Sequence, residues 1–412
     1  MNRFDKYIIL LIASLAFGGI GGALTVVRML VVILLPQAWK AYPYMRNYLR
    51  PFLVTISLFY GYCLFSMLWT PDKTEGIKEL IYYLVHFLLF IEIIVFSRFS
   101  RRPLSSIAYG WLLSVLLTIP IAIWELVTDQ HLFTSKYSDG VVLMNIGTEV
   151  LQRHFAAATF TNMNSYVTFL CFALPFLLYG YMKTRKQRLQ SISIIVTTLI
   201  TITIIFMNGS RGGFLSIFIM GILFLLITQK NKRAISLIAI FSFVGIIMFM
   251  QYADSLFSVI SYRANSDNLL SGESRFIIWG NAWKAFLSTY GLGVGVGGMI
   301  KAMEMVTKGI TITHNMFLEI LLQYGIIFFL VFIYYILVMA RKALEMKDRI
   351  VKTILYMALF AMPVYLIINS GYLLTSFVYA GFASMTVFAD YEHTQLLRKT
   401  LRQLIQSKRN TL

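Results

Sequence analysis

Apolar runs long enough to cross about 30 Å of hydrocarbon, roughly 20 residues each, recur from one end of the chain to the other, with no intervening stretch that reads as a soluble domain. The pattern predicts about twelve transmembrane helices, at 7–20, 24–38, 51–69, 80–97, 104–128, 164–182, 191–207, 213–229, 234–250, 314–340, 352–369 and 372–389. The expected fold class is all-α, a polytopic bundle. The first pair is the least regular: residues 7–38 carry Gly18, Gly19, Gly21, Gly22 and Arg28, so they read either as two short tilted helices or as one long span with a re-entrant piece. The first run follows only Arg3, Asp5 and Lys6 and has no small-residue cleavage site, so it is expected to be a retained span.

Composition agrees with this class. Hydrophobic residues make up 58% of 412 residues and charged ones 13%, with a mean hydropathy of +0.73, more apolar surface than a soluble core could hide. Lys and Arg fill alternate connections: Lys40, Arg46 and Arg50; Arg98, Arg101 and Arg102; Lys183 to Arg188; Lys230 to Arg233; Arg341 to Lys352; and the tail from Arg398. Both termini are therefore expected in the cytoplasm, and the formal charge of +18 is an orientation signal, not a sign of a nucleic-acid partner. The tail over 396–405 reads as a basic amphipathic helix resting on anionic lipid.

Two outer connections, 129–163 and 251–313, exceed the usual links of a compact bundle and so invite a functional reading. The larger contains Arg275, followed by Phe276, Trp279, Trp283, Phe286 and Leu287 at helical spacing, which predicts a helix lying in the membrane interface. The run Gly291 to Gly298 includes a match to GxGxxG, but it follows no strand and carries little weight as a nucleotide loop.

Candidate chemistry sits at the edges of spans. Arg211, in Asn208-Gly209-Ser210-Arg211-Gly212-Gly213, lies between two apolar runs, where only a water or headgroup boundary can hold a guanidinium cheaply. His314 opens another apolar run, with Asn315 beside it and Glu319 further along. Asn315 and Glu319 share a helical face, while His314 and Glu319 do not. Cys63 and Cys171 fall in spans, and His86, His131, His154, His314 and His393 show no ligand spacing, so no metal and no cofactor are expected. Glu92 and Glu125, near span ends, read as snorkelling or paired carboxylates.

The Arg211 motif, Arg275 with its aromatic helix and glycine run, and His314-Asn315 with Leu318, Glu319 and Gly325 together resemble the O-antigen ligase and polymerase superfamily. The segment from Arg153 through Asn164 is similar to the family's arginine, small residue, asparagine pattern, although Ala156 or Ala157 stands where a glycine is common. The resemblance covers roughly 153–340. It divides the chain into an N-terminal bundle (1–190), a ligase-like core (191–340) with outer loop 251–313, and C-terminal spans with the tail (341–412). It implies a GT-C-like, metal-independent inverting glycosyltransferase that takes a glycan from undecaprenyl diphosphate on the outer face and passes it to an acceptor glycan. His314 would act as base and Arg211 and Arg275 would stabilise the diphosphate, with Arg153, Arg263, Gly212, Gly213, Asn164, Asn315 and Glu319 in substrate contact. Membrane lipids are expected partners, and the resemblance leaves room for a flippase or a chain-length regulator. A polymerase is favoured over a ligase because no outer soluble domain is seen to recognise a separate acceptor. A transporter of lipid-linked glycan is the reading from another class, but it calls for an internal repeat that the chain does not show.

Overall fold

The computed structural model describes residues 1–20, 24–136, 143–146, 149–152, 155–184, 187–228, 272–306 and 312–395. Predicted span 234–250, Arg153, Arg263 and the tail helix 396–405 lie outside the described residues. The helices are α1 (Arg3–Ala13), α2 (Val26–Ala41), α3 (Arg46–Ser66), α4 (Lys73–Phe99), α5 (Pro103–Thr128), α6 (Met163–Thr184), α7 (Arg188–Met207), α8 (Arg211–Thr228), α9 (Gly272–Leu287), α10 (Met299–Val306), α11 (Met316–Glu345), α12 (Arg349–Tyr365) and α13 (Ser376–Ala389). The all-helical expectation needs one addition. In the loop after α5, β1 (Leu143–Ile146) pairs antiparallel with β2 (Glu149–Gln152), Leu143 opposite Gln152.

Among the described residues, six stretches are long and apolar enough to cross a membrane: Val26–Ser66, α4, α5, α6, α7 and α11. The first is bent back on itself at a 3₁₀ turn, Tyr42–Met45. Arg28 lies over the Tyr82 ring and Tyr44 meets Phe99, so α2 runs parallel to α4. Phe52 meets Phe90 and Tyr60 donates to the Leu80 carbonyl, so α3 runs antiparallel to it. Helices α8, α12 and α13, with 18, 17 and 14 residues, complete the bundle.

The predicted spans 7–20 and 24–38 form a hairpin of two short arms. Asn2 donates to the Phe99 carbonyl at the start of one arm. The arm ends where Gly19 N–H meets the Thr159 carbonyl at 2.8 Å, and α2 returns from beside His86, midway along α4, to Phe99. Each arm, 11 residues plus a four-residue 3₁₀ turn and 16 residues, falls short of the roughly 20 that a crossing needs. The glycines that made this segment irregular are needed at its tip, where a Cβ on Gly19 would sit 2.3 Å from the Thr159 carbonyl oxygen.

One end of the bundle gathers charge. Asp390 takes Lys342 at 2.5 Å, lies 3.8 Å from Arg98 and accepts the Tyr48 hydroxyl. Nearby, Glu392 accepts the Lys347 and Asp348 N–H groups, and Arg349 donates to the Ile227 carbonyl. The N-terminus, the α4–α5 turn and the α11–α12 turn therefore share an end. The first residues of α6, α8 and α11 lie at the other.

At that far end α11 breaks at Gly325, whose φ of 76° leaves the helical region. The backbone groups released are taken up by the run Gly291 to Gly298: Val294 N–H bonds to the Leu322 carbonyl, Gly295 N–H to Gln323, and Ile326 N–H to Gly291. The same run is fixed to the α3–α4 turn through Trp69, Thr70 and Glu79. Its glycines are explained by backbone crossing backbone. Gly297→Ala would force a methyl within 2.2 Å of the Gly76 nitrogen at φ +71°, whereas Gly280→Ala meets nothing within 4 Å. We expect the first to destabilise by about 2–4 kcal/mol and the second, an exposed position inside α9, to stabilise by about 0.5–1 kcal/mol, read as melting temperatures of the detergent-solubilised protein.

Candidate active site

The C-terminal end of α12 organises the site. A helix ends with carbonyl groups that lack intrahelical partners and carry partial negative charge, and here three distant segments meet them and the residues that follow. Leu366 carbonyl accepts Met316 N–H at 3.0 Å. Ile367 carbonyl accepts the Arg275 guanidinium at 3.2 Å. Ile368 packs against Gly212, where a Cβ would lie 2.7 Å from its Cγ1. Arg211, Arg275 and His314 are each within two residues of these contacts or make them.

Local chemistry explains each position. Helix α7 stops at Asn208, and Gly209 at φ 61° turns the chain in the left-handed region. Ser210 then caps α8, its Oγ accepting Gly213 N–H at 3.2 Å, which leaves the exposed Arg211 as the first helical residue. The expectation that Gly212 and Gly213 serve a phosphate meets a competing explanation. Gly213 N–H is taken by Ser210, and its missing side chain admits Val167 and Ile205, within 2.8 Å of where a Cβ would be. The two glycines seat α8 against α12, α6 and α7.

His314 holds φ at 49°, which is costly for a residue with a side chain, about 1–2 kcal/mol. Neighbours on both sides impose it. Trp279 donates to the Thr313 carbonyl at 2.9 Å, and Asn315 caps α11 by accepting Phe317 and Leu318 N–H. Strain maintained in this way is a reason to look for function. The ring is half-buried, and its Nδ1 has no hydrogen-bond partner among the described residues. Burial, then the Arg275 charge, then Lys136, push its pKa down to about 4. Arg275 is itself held below its ordinary value, first by burial, with Tyr372 opposing and Arg211 adding to the depression. Arg211, Arg275, Lys136 and His314 thus share one electrostatic field.

Other expectations divide. Asn315 is at the site, but its side-chain oxygen is committed to the cap. Glu319 is 2% exposed and accepts Gly371 and Tyr372 N–H at 2.8 and 3.0 Å; it fastens the segment after α12 and touches no open space. Asn164 is half-buried in the first turn of α6. The aromatic stripe of α9 is split between two environments: Phe276, Trp283 and Leu287 are exposed, Phe286 is buried, and Trp279 points to Thr313.

Sequence reasoning missed three residues. Lys136, in the loop after α5, acts on the His314 imidazole through its charge. Asn208 grips Ala156 by both its N–H and its carbonyl, at 2.6 and 3.1 Å. Glu125, expected to be snorkelling or paired, accepts Ala157 and Ala158 N–H at 2.7 and 2.6 Å and lies 3.3 Å from His131. Asn208 and Glu125 pin the irregular segment at residues 156–158. No three His, Cys, Asp or Glu side chains among the described residues are grouped as a metal site would need.

Comparison with known proteins adds to this geometry. Residues 196–333 match the family O-Antigen ligase, a span that contains Arg211, Arg275 and His314. The chain is 27% identical to the teichuronic acid biosynthesis protein TuaE of Bacillus subtilis (strain 168), over 66% of this chain and 57% of that protein. It is 28% identical to the ComP-specific O-oligosaccharyltransferase of Acinetobacter baylyi, over 53% of this chain and 39% of that protein. The chain thus spans about half the length of these curated relatives. The superfamily resemblance read from its motifs is borne out by the matched family model.

Removing Glu319 tests its assignment as a fastener. Glu319→Ala would leave two buried N–H groups without acceptors, an expected loss of about 2–5 kcal/mol; Glu319→Gln, which keeps one acceptor oxygen, should fall between. Thermal unfolding of the purified protein reads both.

Proposed function

We propose that this chain is a membrane-embedded glycosyltransferase that moves a glycan from an undecaprenyl diphosphate carrier to an acceptor hydroxyl, with the termini in the cytoplasm and the site on the outer face. The observation that carries the reading is the meeting of Arg211, Arg275 and His314 at the end of α12. The matched family and both relatives' names support glycan joining, and the charged end of the bundle, with its cluster of lysines and arginines, supports the orientation.

The reaction follows from the groups present. As the glycosidic bond breaks, the diphosphate leaving group gains negative charge, and preorganised cations stabilise that charge in a site sheltered from water. Guanidinium groups bind phosphate oxygens through a planar fork and stay charged at any working pH. Arg275 is held by the Ile367 carbonyl, so it pays little ordering entropy when the substrate arrives. His314, neutral and with Nδ1 unpartnered, is placed to accept the acceptor's proton as the new C–O bond forms. Arg153 and Arg263 belong to this proposal as further diphosphate contacts, and Asn164 as a glycan contact at the first turn of α6.

We favour a polymerase, in which both substrates are lipid-linked. A ligase that uses a terminal acceptor is the second reading, supported by the oligosaccharyltransferase named among the relatives. Transport is less favoured, because Arg211, Arg275 and His314 meet at one end of the bundle.

Purified protein given lipid-linked oligosaccharide is expected to lengthen or transfer it. His314→Ala should abolish transfer while the protein still inserts, and Arg275→Gln should lower kcat about 10² to 10³-fold. Labelled lipid-linked oligosaccharide crossing vesicles with no bond made would replace this proposal with transport. The pH profile carries a sign. Because burial and two cations lower the His314 pKa to about 4, the proton-accepting form persists as pH falls. kcat/KM, which reports the free enzyme, should stay flat from pH 8 to about 5 and drop only below; an acid limb centred near 6.5 would contradict the assignment.

A further inference from the structure

The backbone that follows α12 is tied by hydrogen bonds along most of its length. The Leu366 and Ile367 carbonyls accept Met316 N–H and the Arg275 guanidinium. Asn369 N–H donates to the Tyr372 hydroxyl at 2.7 Å, and that hydroxyl donates in turn to the Tyr365 carbonyl at 2.9 Å. Gly371 and Tyr372 N–H are held by Glu319. Residues 365–372 therefore form a closed loop with a fixed backbone. The Asn369 side chain departs from this pairing. The residue is 1% exposed, yet its carboxamide nitrogen has no hydrogen-bond partner among the described residues.

A buried amide donor without an acceptor destabilises a fold, because it has lost its bonds to water and made none in return. Its position supplies a reason for keeping it. Asn369 is two residues from Ile367, no more than about 7 Å between Cα atoms, and the Ile367 carbonyl is the anchor of Arg275. Ile368, between the two, packs on Gly212 beside Arg211. His314 lies two residues before the N–H that bonds Leu366, and its Nδ1 is likewise buried and without a hydrogen-bond partner among the described residues. An unpaired ring nitrogen and an unpaired amide donor thus flank the Arg275 anchor along the contacts that build the site.

We infer that Asn369 donates a hydrogen bond from Nδ2 to a phosphate oxygen of the departing diphosphate. The inference rests on the transfer reading above and adds to it a residue that touches substrate. Arg211, Arg275 and Lys136 act together on this region as positive charge, so the acceptor that suits a donor beside the Arg275 anchor is an anionic oxygen. A neutral amide adds its bond without adding to the repulsion between Arg211 and Arg275. Because its backbone is fixed and its N–H groups are unpaired beforehand, it gives up no earlier partner when the anion arrives. Negative charge on that oxygen grows as the glycosidic bond breaks, so the bond is strongest in the transition state and bears on kcat more than on binding.

Asn369→Leu and Asn369→Asp both remove the donor, the first with an apolar side chain branched at the same carbon, the second with an isosteric carboxylate. Each is compared with wild type and Arg275→Gln in transfer assays with lipid-linked oligosaccharide, and in thermal melts of the full chain with and without inorganic diphosphate. Asn369→Leu no longer buries an unpaired donor, so without diphosphate it should melt no lower than wild type. Its kcat should fall about 10²-fold, its KM for the acceptor glycan should be unchanged, and diphosphate should stabilise it less than wild type. Asn369→Asp sets negative charge against the diphosphate and should lose more kcat than the leucine variant. A loss confined to kcat and to stabilisation by diphosphate supports the inference. Wild-type kcat in both Asn369 variants overturns it. So does a fall in melting temperature in both with kcat and acceptor KM damaged alike, which marks a residue that only supports the fold. If Arg275→Gln loses kcat and stabilisation by diphosphate while the Asn369 variants keep both, the transfer reading stands and the Asn369 donor falls; if Arg275→Gln keeps both as well, the anion site of that reading falls with it.

Discussion

The end of α12 is the constraint on which the rest depends. A helix that stops inside a membrane protein must dispose of its last carbonyl groups, and this one does so with Met316 N–H and the Arg275 guanidinium. That obligation draws together α8, α9 and α11, which begin at residues 211, 272 and 316. The cation at Ile367 is doubly favoured, as a hydrogen-bond donor and as a charge at the negative end of a helix. Stability and chemistry thus use the same groups, and a change at 366–368 would displace all three functional candidates at once.

The buried acids form a second layer. Glu319 holds Gly371 and Tyr372, Glu125 holds Ala157 and Ala158, and Glu79 holds Gly297. Each accepts backbone N–H groups from an irregular segment that no helix could satisfy. In hydrocarbon an unsatisfied N–H costs several kcal/mol, so carboxylates at these places make non-helical backbone tolerable where the site needs it. The same need explains the glycines at 291–298, which bring a loop against the broken turn of α11. Glu92 stands outside this scheme, with both oxygens buried and without a hydrogen-bond partner among the described residues, and we have no physical account of it.

Much of this was legible in the sequence. Long apolar runs gave α5, α6 and α7 to within about three residues at each end, because a helix is the one solution that lipid permits an isolated span, while α4 begins well before its predicted start and α11 runs past its predicted end, where the residues are polar. Arg211, Arg275 and His314 stood out because a charged or polar residue at an apolar edge has few cheap explanations. The hairpin at 7–38 was ambiguous because hydrophobicity records contact with lipid or protein and not depth: α2 is as apolar as a crossing helix yet turns back. Asn315 and Glu319 were given contacts with substrate that their hydrogen bonds assign to the cap and the fastener, since spacing on a helix shows which face a side chain shares but not which backbone it meets. Asn208 and Glu125 went unrecognised for the same reason, as their partners are 52 and 32 residues away.

The placement of His314 bears on how such a site would regulate its own chemistry. An imidazole held neutral by burial and by neighbouring cations is a weak base while the site is empty. On the proposed reading, an incoming diphosphate sits between the imidazole and those cations and neutralises the field that depresses its pKa. Base strength then rises when donor is bound and falls when it leaves. Such coupling is reciprocal: whatever the anion does to the histidine, protonation of the histidine does to anion affinity, so the acceptor's proton, once on His314, tightens the hold on the departing diphosphate while its charge is greatest. The strained backbone at His314 and the bond from Arg275 to Ile367 keep these groups at fixed separation, which is what lets one charge report on the other.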